Sequence, residues 1–152
     1  MKEINLTKNK VAFVDDEDFE WLNKFNWCAY KNSRGYEYYA VRVVNKEAIQ
    51  MHRLIMNTPN TLIVHHIDHN GLNNQKNNLR NCTQSQNHYA TKLYTKTYRG
   101  VNLTPGGKWT ARIAIQGKKL YLGTFDTAEE AAIAYNINAL ILLGEFAPIN
   151  LI

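Results

Sequence analysis

The chain has 152 residues, 45% of them hydrophobic and 20% charged, with a formal net charge of +5; this suits one ordinary domain or two small ones, each with a modest core. No run of eighteen apolar residues occurs, which excludes a membrane-spanning helix, and Cys28 and Cys82 have no CxxC near either, which excludes a cysteine zinc finger or a disulfide framework. Residues 1–64 hold nine Lys/Arg against eight Asp/Glu, whereas residues 69–125 hold nine Lys/Arg and no acid at all. A stretch of that kind suits a surface facing phosphates, because each neutralised phosphate releases condensed counterions.

In chain order, "KVAFV" (10–14) and "EYYAVRVV" (37–44) are β-branched and aromatic enough for strands, with a turn expected at "SRG" (33–35). Between them "DDEDFEWLNKF" (15–25) reads as a short helix whose acids favour its N-terminal dipole. "IQMHRLIM" (49–56) is expected to run from a strand into a short helix, stopping near Thr58-Pro59. "TLIVHH" (61–66) then forms a brief strand, "NGLNN" (70–74) a turn, "NLRNCT" (78–83) a second strand and "QSQNHYA" (84–90) a helix start. The polar, aperiodic segment after it is expected to be a linker at residues 91–97. Three strands follow, "YRGVNL" (98–103), "KWTARIAI" (108–115) and "KLYLGTF" (119–125), joined by the turns "TPGG" and "QGK". "DTAEEAAIAYNINALILLG" (126–144) closes as one helix, with a Thr127/Glu130 capping box and Gly144 at its stop.

The stretch from Val64 to Asn87 holds three histidines, seven asparagines and one acid, Asp68. A nuclease must activate water and neutralise charge that builds on the phosphate. A histidine serves as general base near neutral pH, and a loosely held hard cation stabilises the charge. Each residue also has a plainer reading, as a surface imidazole, a turn former or a helix cap. Alternation along a strand moreover points His65 and His66 to opposite faces. Zinc held by the three loop histidines is a further reading, although they lack the usual ligand spacing.

"HHIDHNGLNNQKNNLR…SQN" resembles the motif of the HNH endonucleases of the ββα-metal type, especially the phage and intron-encoded homing enzymes, over about residues 51–90 with "MHRLIM" as lead-in. The resemblance implies that His66 is the general base, and that Asn78 pins the loop and helps orient it. It places one Mg²⁺ or Mn²⁺ on His65, where the family usually has Asp or His, and on Asn87. His69 stands where the family often has glycine, and His88 has no assigned role.

"YRGV…GKWTARIAIQGKKLYLGTFDTAEEAAIAYNINALILLGEFAPIN" resembles the plant ethylene-response-factor (AP2/ERF) DNA-binding domain over roughly residues 97–150. That family lays a three-stranded antiparallel sheet, backed by one helix, in the DNA major groove. By alternation, Trp109, Ala111, Ile113 and Ile115, with Leu120 and Leu122, are expected under the helix. Thr110, Arg112, Ala114 and Gln116, with Lys119 and Tyr121, are expected on the open face. The resemblance implies DNA contacts from Arg99, Asn102, Thr110, Arg112, Lys119 and Tyr121. Arg99 or Arg112 would read guanine bidentately or simply hold phosphate.

The fold expected is thus α+β: a ββα-metal nuclease core (51–90) behind an N-terminal mixed α+β region (1–50), then a three-stranded antiparallel sheet on one helix (98–150). The expected function is metal-dependent cleavage of double-stranded DNA, by a monomer or weak dimer on DNA, with no membrane partner. A DNA-binding regulator without catalysis is the alternative. The N-terminus lacks the apolar core of a secretory signal, so the cytoplasm is expected; the homing resemblance points to a bacterial host and a phage gene.

Overall fold

The computed structural model describes residues 1–32, 37–90 and 97–152, so the turn expected at 33–35 and the linker up to residue 96 lie outside the described residues. The chain divides into two compact units, Met1–Gln84 and Ser85–Ile152, and both are α+β.

In the first unit an antiparallel hairpin of β1 (Lys2–Asn5) and β2 (Val11–Val14) leads into α1 (Asp16–Leu22). Asp16, Glu17 and Asp18 occupy the first turn of α1, where the helix dipole stabilises negative charge. A three-stranded antiparallel sheet follows, in the order β3 (Cys28–Lys31), β4 (Tyr38–Val44), β5 (Glu47–Gln50). Next come the single turn of α2 (Met51–Ile55) and the antiparallel pair β6 (Ile63–His66) and β7 (Leu79–Cys82). The core gathers Ile4, Ala12, Val14, Leu22, Trp27, Ala29, Ala40 and Met51, with Leu54, Ile55 and Leu72 packed against it. Residues on both sides of position 50 therefore fill one core. Cys82 is buried, as free thiols usually are, but Cys28 is exposed on β3.

The second unit begins within α3 (Gln84–Tyr89) and contains the antiparallel sheet β10 (Lys118–Phe125), β9 (Trp109–Ile115), β8 (Val101–Leu103) under α4 (Ala128–Leu143). The capping box is formed: Thr127 accepts from the Glu130 N–H and Glu130 accepts from the Thr127 N–H. Alanines at 131, 132 and 139 are buried, which lets α4 lie close on the sheet around Ile113 and Tyr135. Gly100 has φ 73°, and a Cβ there would sit 2.3 Å from the Arg112 carbonyl and 2.4 Å from the Tyr135 ring, so only glycine fits.

The expected face assignment holds for Ala111 and Ile113, both buried, and for Ile115 and Leu122, packed on the core. It fails for Leu120, which is exposed, and for Thr110, which is buried. Leu120 pairs with the buried Ile113 but lies on the edge strand β10, and the register slips only beyond it, in a bulge between Tyr121 and Gly123. Thr110 lies on the central strand, between Asn102 and Thr124, and donates to the Asn102 carbonyl at 3.2 Å. Trp109, expected in the core, is half-buried.

Candidate active site

Strand β6 ends on His65 and His66, which pair in register with Arg80 and Leu79 of β7. Both imidazoles are buried, and strand alternation sends them to different neighbours. The His66 ring meets His52 of α2 edge-on at 5.0 Å between centroids and Tyr39 of β4 at 5.9 Å. The His65 ring meets His69 at 5.4 Å, and its Nδ1 accepts from Arg80 Nε at 3.2 Å. The sequence motif thus brings in two residues from outside itself, His52 and Tyr39. His52 lay within the lead-in "MHRLIM", so a signal existed; Tyr39 looked like any strand aromatic.

The loop between β6 and β7 is held by Asn78, at the end of a 3₁₀ turn over Lys76–Asn78. The Asn78 side chain accepts from the Asp68 N–H and donates to the Asp68 carboxylate and the Asn73 carbonyl, each at 2.9 Å. Its own backbone carbonyl accepts from the Ile67 N–H at 2.9 Å. Asp68 in turn accepts from Asn70 N–H and the Asn73 side chain, both at 2.8 Å. Burial raises the Asp68 pKa, but the bonds from Asn70, Asn73 and Asn78 outweigh it and hold the carboxyl below its ordinary value. Asp68 is thus a hydrogen-bonding hub of the loop. His69 adopts φ 61°, the left-handed region where glycine is favoured.

The N-terminal elements fasten this loop from behind. Phe13 N–H donates to the Leu72 carbonyl at 2.8 Å, and Asn74 N–H donates to the Phe13 carbonyl at 2.7 Å. The Asp15 carboxylate accepts from the Lys76 N–H at 2.8 Å and from Gln75 Nε2 at 3.2 Å. Gly71 packs so tightly on β4 that a Cβ there would lie 2.5 Å from the Tyr38 carbonyl and 2.6 Å from the Tyr39 ring.

Burial disfavours the charged imidazole throughout. It pushes His52 down to about 3, assisted by His66 and Arg53. It pushes His65 down to about 4, assisted by the Arg80 charge. His66 is lowered as well, chiefly by burial, while the Asn74 carboxamide and the Asp68 and Glu37 carboxylates pull the other way. Near neutral pH all three are therefore neutral, and a neutral imidazole has a lone pair with which to take a proton.

The same geometry tests a cation at His65. Among the described residues no three of His, Cys, Asp or Glu come together as a metal-binding group. Because the Arg80 Nε–H can only donate, His65 Nδ1 is the acceptor and Nε2 carries the ring proton. That Nε2 is buried and has no hydrogen-bond partner among the described residues. His65 fits as a ligand in the other tautomer, with the Arg80 guanidinium turned aside. Asn87 lies on α3 in the second unit, half-buried. The carboxamide of Asn87 and the imidazole of His65 are uncharged donors, which bind hard cations weakly without phosphate oxygens.

On the sheet of the second unit, Asn102, Arg112, Lys119 and Tyr121 are exposed. Arg99 is half-buried, its charge works against the burial that raises the Tyr135 pKa, and its N–H and carbonyl are clamped by the Asn150 side chain at 2.6 and 3.2 Å.

No protein-family model matches the chain. The chain is similar to "Uncharacterized HNH endonuclease L560" of Acanthamoeba polyphaga mimivirus, 31% identical over 149 residues, covering 94% of this chain and 76% of that protein. It is also similar to "Ethylene-responsive transcription factor ERF070" of Arabidopsis thaliana, 50% identical over 62 residues, covering 36% of this chain and 38% of that protein. "Dehydration-responsive element-binding protein 2D" of the same plant is 49% identical over 57 residues, covering 36% of this chain and 28% of that protein. The chain thus spans less than half the length of either plant relative.

Proposed function

The chain belongs to the HNH endonuclease family, and we propose that it is a metal-dependent DNA endonuclease of the homing type, aimed at its site by the second unit. The observation that carries this reading is the pair of neutral, buried imidazoles at the end of β6, beside a loop that Asn78 holds rigid.

In the proposed reaction His66 takes a proton from a water molecule as that water attacks the scissile phosphorus in line. The bond to the 3′ oxygen breaks, and that oxygen takes a proton from solvent, leaving a 3′ hydroxyl and a 5′ phosphate. Asn78 positions the loop that carries Asp68, fixing the surroundings of His66 without touching the reacting atoms. Held by His65 and Asn87, as the likeness to the HNH motif implies, one Mg²⁺ or Mn²⁺ would supply Lewis-acid stabilisation of the charge on the phosphate and departing oxygen. Asn102, Arg112, Lys119 and Tyr121 form the exposed set for contact with double-stranded DNA. Arg99 and Thr110 enter the same proposal, Arg99 half-buried and Thr110 with its hydroxyl engaged on the Asn102 carbonyl. One site per chain makes nicking natural for a monomer, and cutting both strands takes a weak dimer on DNA or a second event. The cytoplasm of the host cell is the compartment this reading assigns; no helix among the described residues is long and apolar enough to cross a membrane.

A second reading, a DNA-binding regulator without catalysis, has one observation in its favour: the Arg80 guanidinium rests on the proposed cation ligand. Supercoiled DNA carrying the region around the gene separates the two. An endonuclease converts it to nicked or linear DNA with Mg²⁺ or Mn²⁺ and stops when a chelator is added. A regulator retards the same DNA on a gel and leaves it supercoiled.

A further inference from the structure

Three lysines of the first unit converge on one aromatic ring. Lys10 Nζ lies 5.0 Å from the Tyr38 ring centroid, Lys31 Nζ 5.7 Å and Lys8 Nζ 5.9 Å. They come from separate places in the chain and are held together by backbone construction. Lys8 and Lys10 sit on the β1–β2 hairpin tip, closed by Leu6 N–H donating to the Lys10 carbonyl at 2.8 Å. Thr7 at that tip accepts from the Ala29 N–H of β3 at 3.0 Å. Lys31, two residues further along β3, is the register partner of Tyr38. The Tyr38 ring is half-buried against the core, so the platform is fixed.

Three other lysines have carboxylates, Lys2 with Glu20, Lys76 with Glu17 and Asp18, and Lys108 with Asp126, while among the described residues Lys24, Lys46, Lys118 and Lys119 stand singly, without a shared platform. Among the described residues no carboxylate pairs with Lys8, Lys10 or Lys31. Glu37, beside Tyr38 in sequence, is taken by the Tyr39 hydroxyl at 2.7 Å and the Asn32 amide at 3.3 Å. Three ammonium groups around one ring repel one another, and an anion with several oxygens relieves that repulsion. The ring that gathers them belongs to the residue whose carbonyl backs Gly71 of the loop behind His66.

We infer that Lys8, Lys10 and Lys31 form a phosphate-binding patch for the DNA backbone flanking the cleavage site, separate from the sheet of the second unit. This rests on the reading of the chain as a DNA endonuclease. It gives the N-terminal hairpin two tasks, bracing the catalytic loop and holding the strand that loop acts on.

The test is binding of the full chain to a fluorescein-labelled duplex from the DNA flanking its gene, in EDTA, over a series of salt concentrations. The K8Q/K10Q/K31Q variant is expected to bind more weakly at low salt. The slope of log Kd against log salt is expected to fall by roughly 1 to 3, about 0.9 for each phosphate no longer neutralised. The K8R/K10R/K31R variant keeps the charges and is expected to keep the wild-type slope, which separates removal of charge from a damaged fold. A glutamine variant with wild-type slope and affinity overturns the patch, as does an arginine variant whose slope falls equally. Cleavage in Mg²⁺ is read separately, so a chain that binds through the lysines but cuts nothing leaves the patch standing while refuting the nuclease.

Discussion

Asn78 is where a single side chain decides most. Its amide makes three part-buried hydrogen bonds within the loop, and Asn78→Ala removes all three, at a cost of about 2 kcal/mol. Asn78→Asp is expected to be worse than alanine, because it turns a donor facing the Asp68 carboxylate into a second carboxylate; comparing the melting temperatures of the two variants checks this. His69 gives a cleaner comparison. His69→Ala and His69→Gly both remove the ring beside His65, but only glycine is relaxed at φ 61°. The glycine variant is expected to be more stable than the alanine variant by about 1 kcal/mol in a denaturant titration. The glycine the family often carries at this place was thus a readable backbone signal, whereas the φ value itself was not.

His52, His65 and His66 make stability depend on pH. Their folded-state values lie below the ordinary histidine value of about 6.5, at about 3 for His52 and about 4 for His65. Below pH 6.5 the unfolded chain takes up protons that the folded chain refuses. Stability is therefore full above about pH 6.5 and is lost as pH falls toward 4. The melting temperature is expected to drop across that window, and His52→Phe is expected to make the drop shallower. Parallel curves for wild type and variant would mean that His52 is not held neutral by burial.

The elements were legible where a local rule governs them. The Thr127/Glu130 box starts α4 as its spacing demands, and Thr127→Ala is expected to cost about 1 kcal/mol on thermal unfolding of the second unit. The strands around "VHH" and "LRNC" follow from β-branched and apolar runs bounded by turn residues. What local rules miss is set by neighbours. β1, "KEIN", is too short and mixed to announce itself, and forms because β2 pairs with it. Leu120 pairs in register with the buried Ile113, as alternation demands, but it sits on the edge strand β10 and stays exposed there. His52 and Tyr39 reach His66 through the packing of α2 and β4, which no spacing within the motif encodes.

At the scale of the molecule, the expected boundary at residue 50 does not separate two cores. Ala12, Val14, Leu22 and Met51 share one, and Phe13 and Asp15 hold the loop at residues 72–76. A chain beginning at Met51 is expected to lose protected amides over residues 63–82 in hydrogen exchange, while residues 101–143, with their own core around Ile113 and Tyr135, stay protected. Protection at 63–82 without the N-terminal elements would show that they do not brace the site. The likeness to the mimivirus protein covers both units, whereas the plant relatives match little more than a third of the chain. On the proposed reading, chemistry and targeting fall on different parts of one polypeptide.

The central claim is that His66 is the base of a DNA-cutting site. The most direct measurement is single-turnover cleavage of the duplex from around the gene, at pH 8 with Mn²⁺, by wild type and by His66→Ala. Wild type is expected to cut, and the variant to cut about 10²- to 10⁴-fold more slowly while binding the same DNA with the same affinity. Equal rates for the two proteins, or no cutting by wild type on DNA that it binds, would contradict the account.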